Sequence, residues 1–98
     1  MYCIICKDKP DHLHVRMENR PAHVEYVLSS DLVSTAGPFT AEDKETMIGT
    51  LIVLNTQDLA TAQDWATNDP YAKAGLFDSV EVLPWKHLIG GLQDPNKA

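Results

Sequence analysis

Met47-Ile48-Gly49-Thr50-Leu51-Ile52-Val53-Leu54-Asn55 contains, in Leu51-Ile52-Val53-Leu54, the strongest strand signal of the 98-residue chain. Side chains alternate along a strand, so Leu51 and Val53 face one side while Ile52 and Leu54 face the other. Both faces are therefore apolar. A short run at the N-terminus repeats the pattern, with Tyr2, Ile4 and Cys6 opposing Cys3 and Ile5. A sheet that is wet on one side alternates apolar with polar, so this sheet needs a cover on each face.

The flanking segments supply one of those covers. Residues 2–8 read as a strand, ended by the turn-prone Lys9-Pro10-Asp11. Residues 11–31 have a helical pattern interrupted by Pro21, and proline costs about 3 kcal/mol inside a helix but nothing at its first position. The expectation is a loose turn over residues 11–18 and a helix beginning near Pro21, with Val24, Val27 and Leu28 as its core stripe. Residues 32–36 read as a strand stopped by Gly37-Pro38, and residues 39–46 as a solvated connection. Thr56 or Asp58 caps a second helix whose apolar positions are Leu59, Ala62, Trp65 and Ala66. Asn68-Asp69-Pro70 breaks it, residues 71–77 resume as a short helical piece with Gly75 near its end, and residues 79–85 form the last strand.

The order strand, helix, strand, strand, helix, strand predicts an α+β fold, a ferredoxin-like βαββαβ sandwich on a four-stranded antiparallel sheet. Two helices cover one face of such a sheet. Burial of the other is worth about 25 cal/mol per Å2 of apolar surface, and a second copy of the chain is its expected source. One domain over residues 1–89 and a mobile tail over residues 90–98 complete the expected organisation.

Composition excludes several functions. Fourteen acidic against eight basic residues give a net charge of −6, which repels phosphate backbones and anionic membrane surfaces. No stretch approaches the roughly 20 apolar residues of a membrane span, and the first residues lack the pattern of a signal peptide. Cys3 and Cys6 stand three apart on a strand and so point to opposite faces, unsuited to a disulfide or a shared metal. They read as buried thiols in a reducing compartment, hence a cytoplasmic protein.

A few residues can carry chemistry. His23, if it lies in the first turn of a helix starting at Pro21, sits at a positive helix end that favours neutral imidazole; otherwise it is a hydrogen-bonded histidine at the core edge. Asp69 either caps the helical piece after it or holds a histidine Nδ1–H for general-base work. Arg20 reaches an anionic substrate group, or pairs with Glu18 or another carboxylate. Tyr71, Trp65 and Phe77 line a pocket or serve as core aromatics. Gly37-Pro38 ends a strand or lets a ligand approach the backbone. His12 and His14, even with Cys6 or Asp8, lack a recognised ligand spacing, and His87 and Lys86 read as solvated edge groups; no metal and no cofactor is expected.

Taken together, Lys7-Asp8-Lys9-Pro10-Asp11, Arg20-Pro21-Ala22-His23, Ser34-Thr35-Ala36-Gly37-Pro38, Ala62-Gln63-Asp64-Trp65-Ala66 and Asp69-Pro70-Tyr71-Ala72-Lys73-Ala74-Gly75-Leu76-Phe77 resemble the YCII-related family, in order and over nearly the whole domain. The resemblance implies a ferredoxin-like fold of the dimeric α+β-barrel group and a histidine–aspartate centre, which fall on His23 and Asp69. Similar proteins include a dehydrochlorinase acting on chlorinated hydroxyquinols, and relatives of the barrel group include muconolactone isomerases. The function implied is a cofactor-independent lyase or isomerase that uses the two residues as general acid/base on a small phenolic, lactone or halogenated substrate. The alternative is a non-catalytic ligand-binding or regulatory dimer on the same fold.

Overall fold

The computed structural model describes residues 1–91. Its elements are β1 (Tyr2–Asp8), α1 (Leu13–Ser29), β2 (Val33–Thr40), β3 (Met47–Leu54), α2 (Leu59–Thr67), α3 (Pro70–Lys73) and β4 (Phe77–Pro84). All pairings are antiparallel and the sheet order is β2-β3-β1-β4. This is the ferredoxin-like α+β fold, with α3 as a single added turn. Residues 92–98 of the expected mobile tail lie outside the described residues.

β1 and β3 form the centre of the sheet, in the register Ile4↔Ile52 and Cys6↔Thr50. Their inward side chains Ile4, Cys6, Ile52 and Leu54 pack against Ala62, Trp65 and Ala66 of α2 in one buried cluster. Asp58 caps α2 by accepting the Thr61 N–H at 3.2 Å. Two hydrogen bonds tie α1 to the α2 side: Tyr26 donates to the Trp65 carbonyl at 2.8 Å, and Trp65 Nε1 donates to Ser30 Oγ at 3.0 Å.

Three expected boundaries are corrected. Pro21 does not start the first helix; α1 runs through it from Leu13. Pro21 is exposed, so water can serve the Met17 carbonyl that its missing N–H leaves unpaired. What carries the helix back to Leu13 is non-local: Arg16, in the first turn of α1, is buried and bonded to Asp8 at the end of β1. Tertiary contacts of this kind override local propensity. Leu28, expected in the core, is 80% exposed, and α1 instead buries Arg16 and His23.

The second correction concerns β2, which continues through Gly37-Pro38 to Thr40. β2 is an edge strand, where proline needs no partner for its absent N–H. The third concerns residues 71–77. The helical turn stops at Lys73, Gly75 takes φ +75°, and Phe77 already opens β4.

Burial in the core has a measurable acid–base consequence. Desolvation, helped by the nearby Asp69 charge, pushes the Cys6 thiol from an ordinary 9.0 up to about 12. The unfolded chain therefore loses this proton before the folded one does. Stability linked to Cys6 is intact below pH 9.0 and falls as pH rises toward about 12. Cys6→Ala is expected to flatten the alkaline limb of a plot of urea midpoint against pH, and an unchanged limb would refute the linkage.

Candidate functional site

The cleft lies between α1 and the β2–β3 side of the sheet, with a volume of about 160 Å3. Arg16, Arg20, His23, Val24 and Val27 line it from α1, Ala36, Gly37 and Pro38 from β2, Met47 and Thr50 from β3, and Tyr71 from α3. In the register Ala36↔Ile52 and Pro38↔Thr50, these β2 residues share the helix-covered face, while Gly37 stands in register with the outward Leu51 and offers its backbone to the cleft. A Cβ built on Gly37 would meet nothing within 4 Å.

His23 and Asp69 are 46 residues apart in sequence and meet here, with Nδ1 2.8 Å from Asp69 Oδ1. Both are buried, at 8% and 2% exposure. An ionised carboxylate only accepts hydrogen bonds, so Nδ1 carries a proton, and whenever the ring is neutral Nε2 is the acceptor. Nε2 makes no hydrogen bond among the described residues, and no fully buried side-chain nitrogen or oxygen there lacks a partner. Nε2 therefore keeps some exposure, on a residue that lines the cleft. Position within the helix plays no part in this, because His23 lies in the third turn of α1 rather than the first. The carboxylate, and not the helix dipole, selects the tautomer.

The two roles weighed for Asp69 coexist. The same Oδ1 also accepts the Tyr71 N–H at 2.9 Å and so caps α3. Pro70 at the first helical position pre-sets that turn. Tyr71 is buried, and its ring stacks on the imidazole of His23 at 4.0 Å and 17°. Burial pushes the Tyr71 phenol above its ordinary range despite the two nearby arginines, so it stays neutral at pH 7.

The other sequence candidates divide cleanly. Arg20, Gly37, Pro38 and Tyr71 stand around the cleft with His23. Arg20 is exposed and makes no ion pair among the described residues, with Glu18 or with any other carboxylate. Arg20 belongs to the middle of α1 and does not precede it. Trp65 and Phe77 are away from the cleft lining; Trp65 packs against Tyr26, and Phe77 meets Tyr71 edge-on at 6.0 Å. His12, next to the start of α1, bonds the Pro10 carbonyl, and His87 lies on the opposite side of the sheet.

Arg16 was not among the sequence candidates. Its Nε and Nη2 donate to the two oxygens of Asp8 at 2.7 and 2.8 Å, and Nη2 also donates to Thr50 Oγ1 at 2.8 Å. Its Cζ lies 4.5 Å from the centroid of the Tyr71 ring. The signal for it was present: Arg16, Arg20, His23 and Val27 follow i, i+4, i+7, i+11, one face of an unbroken helix. Ending the helix at Pro21 hides that face.

The model of the YCII-related domain matches residues 1–86. The chain belongs to the YCII-related family. Protein YciI of Escherichia coli O6:H1 is 34% identical over 97 residues, 91% of this chain and 99% of that one. An uncharacterised protein of Haemophilus influenzae is 32% identical, over 90% of this chain and 98% of its own. Among solved structures, the 5-chloro-2-hydroxyhydroquinone dehydrochlorinase of Burkholderia phenoliruptrix, in complex with 2,5-dihydroxybenzoquinone, superposes with a TM-score of 0.78. It is 32% identical to this chain and covers 89% of it and 95% of itself. A Bacteroides thetaiotaomicron protein described as an antibiotic biosynthesis monooxygenase, 14% identical with a TM-score of 0.58, shares the fold alone. The family's fold thus serves at least one enzyme of small-molecule chemistry. No helix among the described residues is long and apolar enough to cross a membrane.

Proposed function

We propose that this YCII-related protein is a cofactor-independent lyase or isomerase acting on a small oxygenated ring, with His23 as the acid–base group and Asp69 as its orienting partner. The observation that carries the proposal is Nδ1 held at 2.8 Å by a buried carboxylate, on a residue that lines a cleft with two guanidinium groups. A lone-pair nitrogen beside cations can take a proton from a phenol and leave the resulting oxyanion stabilised. Asp69 then stabilises the imidazolium that forms.

The dehydrochlorinase relative supports one form of this chemistry. With a chlorinated hydroxyquinol, His23 Nε2 removes an O–H proton and returns it to the ring carbon bearing chlorine, giving the keto tautomer. Loss of a second O–H proton then drives out chloride and leaves a hydroxyquinone. One proton and one chloride leave, and the ring's own electrons balance the step. Phenolic, lactone and halogenated substrates all fit this pattern of proton transfer next to a carbonyl or phenol. Chloride release from 5-chloro-2-hydroxyhydroquinone, followed with a halide electrode, is expected to depend on the protein. A panel of such phenols, lactones and halogenated acids giving neither turnover nor a thermal shift would contradict the proposal.

We further propose that the working assembly is a homodimer closed over the helix-free face. Cys3 and Ile5 of β1, Leu51 and Val53 of β3 and Leu83 of β4 share that face. Trp85, His87, Ile89, Gly90 and Gly91 line a hollow of about 700 Å3 with part of that face, and Leu83 and Trp85 are 43% exposed. Sedimentation at micromolar concentration is expected to give a dimer, and Leu83→Lys a shift toward monomer with unchanged secondary structure. A wild-type monomer would refute the assembly.

A further inference from the structure

We propose that Arg16 holds one anionic oxygen of the substrate at the floor of the cleft, and that the site therefore selects a phenolate or enolate over a carboxylate or phosphate. This rests on the acid–base reading of His23 and names the ligand chemistry of the same site. A guanidinium has five N–H donors. Three are spent: Nε and one Nη2 hydrogen on the Asp8 carboxylate, and the other Nη2 hydrogen on Thr50 Oγ1. The remaining two belong to Nη1; the Tyr71 phenol lies close enough to Arg16 to engage one of them, and no other described residue does. Because no fully buried side-chain nitrogen or oxygen there lacks a partner, Nη1 is reached from the cleft that Arg16 lines.

The spent donors decide the specificity. Carboxylates and phosphates are best gripped by two parallel N–H groups. Asp8 occupies the Nε/Nη2 fork, and Thr50 occupies half of the Nη1/Nη2 fork. The Tyr71 phenol competes for one Nη1 hydrogen. What is left donates to one oxygen. The pair with Asp8 also cancels most of the net charge, so a doubly charged group gains little by entering. Arg16 Cζ and the His23 ring lie at 4.5 and 4.0 Å from the Tyr71 centroid, so they are at most 8.5 Å apart. One substituted ring can touch both. Arg20, exposed at the same cleft, is free to attract anions but is not held by any partner among the described residues.

The test uses 4-nitrophenol, whose phenolate is yellow, with 4-nitrobenzoate as the carboxylate of matching shape. Wild-type protein is expected to bind the phenolate form, so that colour develops at lower pH than in buffer, and to bind 4-nitrobenzoate at least about tenfold more weakly. Arg16→Gln alone strands Asp8, so the variant measured is Arg16→Gln/Asp8→Asn. It is expected to lose about 10–100-fold in phenolate affinity, and Arg20→Gln less than about tenfold. Equal binding of nitrobenzoate, no binding of nitrophenolate by wild type, or full affinity in the Arg16 double variant would each overturn the proposal. Chloride release persisting alongside any of these leaves the His23 reading standing and removes Arg16 alone. Phenolate binding through Arg16 with no turnover of any ring substrate supports the anchor and removes the acid–base function instead.

Discussion

His23→Asn is expected to lower turnover by about 10²–10⁴-fold while the protein stays folded. On the proposed acid–base role, the loss follows from removing the group that takes and returns the proton. Asparagine keeps an N–H near Asp69, and Asp69 still caps α3 through the Tyr71 N–H, so the buried carboxylate is not stranded. Far-ultraviolet circular dichroism and the melting temperature should therefore change little. KM should move less than kcat, since the group acts in the transition state more than in binding. Full turnover in this variant would remove His23 from the chemistry.

Arg16→Met is expected to be the most damaging single change to stability, about 3–5 kcal/mol out of the roughly 5–15 that holds a domain together. The side chains of Arg16 and Asp8 are 2% and 7% exposed, so deleting the cation leaves a carboxylate with neither partner nor much water. Removing both charges relieves that penalty. The double variant Arg16→Met/Asp8→Leu should regain most of the loss, because apolar replacements of a buried pair are often neutral. Urea unfolding of the wild type, both single variants and the double variant completes the cycle. A single variant within about 1 kcal/mol of wild type would show that the pair is not buried in solution.

How far the sequence could be read depended on whether the deciding forces were local. β1 and β3 were legible because apolar side chains on both sides of a short β-branched run admit few other structures. The cap of α2, narrowed in sequence to Thr56 or Asp58 and taken by Asp58, and Asp69-Pro70 as the break after it were legible because capping chemistry acts over three or four residues. The course of α1 was not. Pro21 obeys a local rule that the Arg16–Asp8 pair and the packing on α3 outweigh, and neither is visible along the chain. β2 continued through Pro38 for a similar reason, since the tolerance comes from its place at the sheet edge.

The site was half legible. His23 and Asp69 were nominated separately from the residues and joined only by resemblance to a family, because 46 residues of chain lie between them. The capping and histidine-holding roles of Asp69 looked like alternatives in sequence. One oxygen performs both in the fold. Arg16 stayed hidden behind the misplaced helix start, although its spacing from Arg20 and His23 marks a single face.

Nitrogen-15 correlation spectra of the histidine rings at neutral pH read the tautomer of His23 without knowledge of the substrate. One ring, absent from the spectrum of His23→Asn, should show a protonated Nδ1 and an unprotonated Nε2, and its Nε2 signal should move when a phenol is added. A His23 ring protonated on Nε2, or one indifferent to every ligand that fills the cleft, would contradict a base aimed at a bound ring.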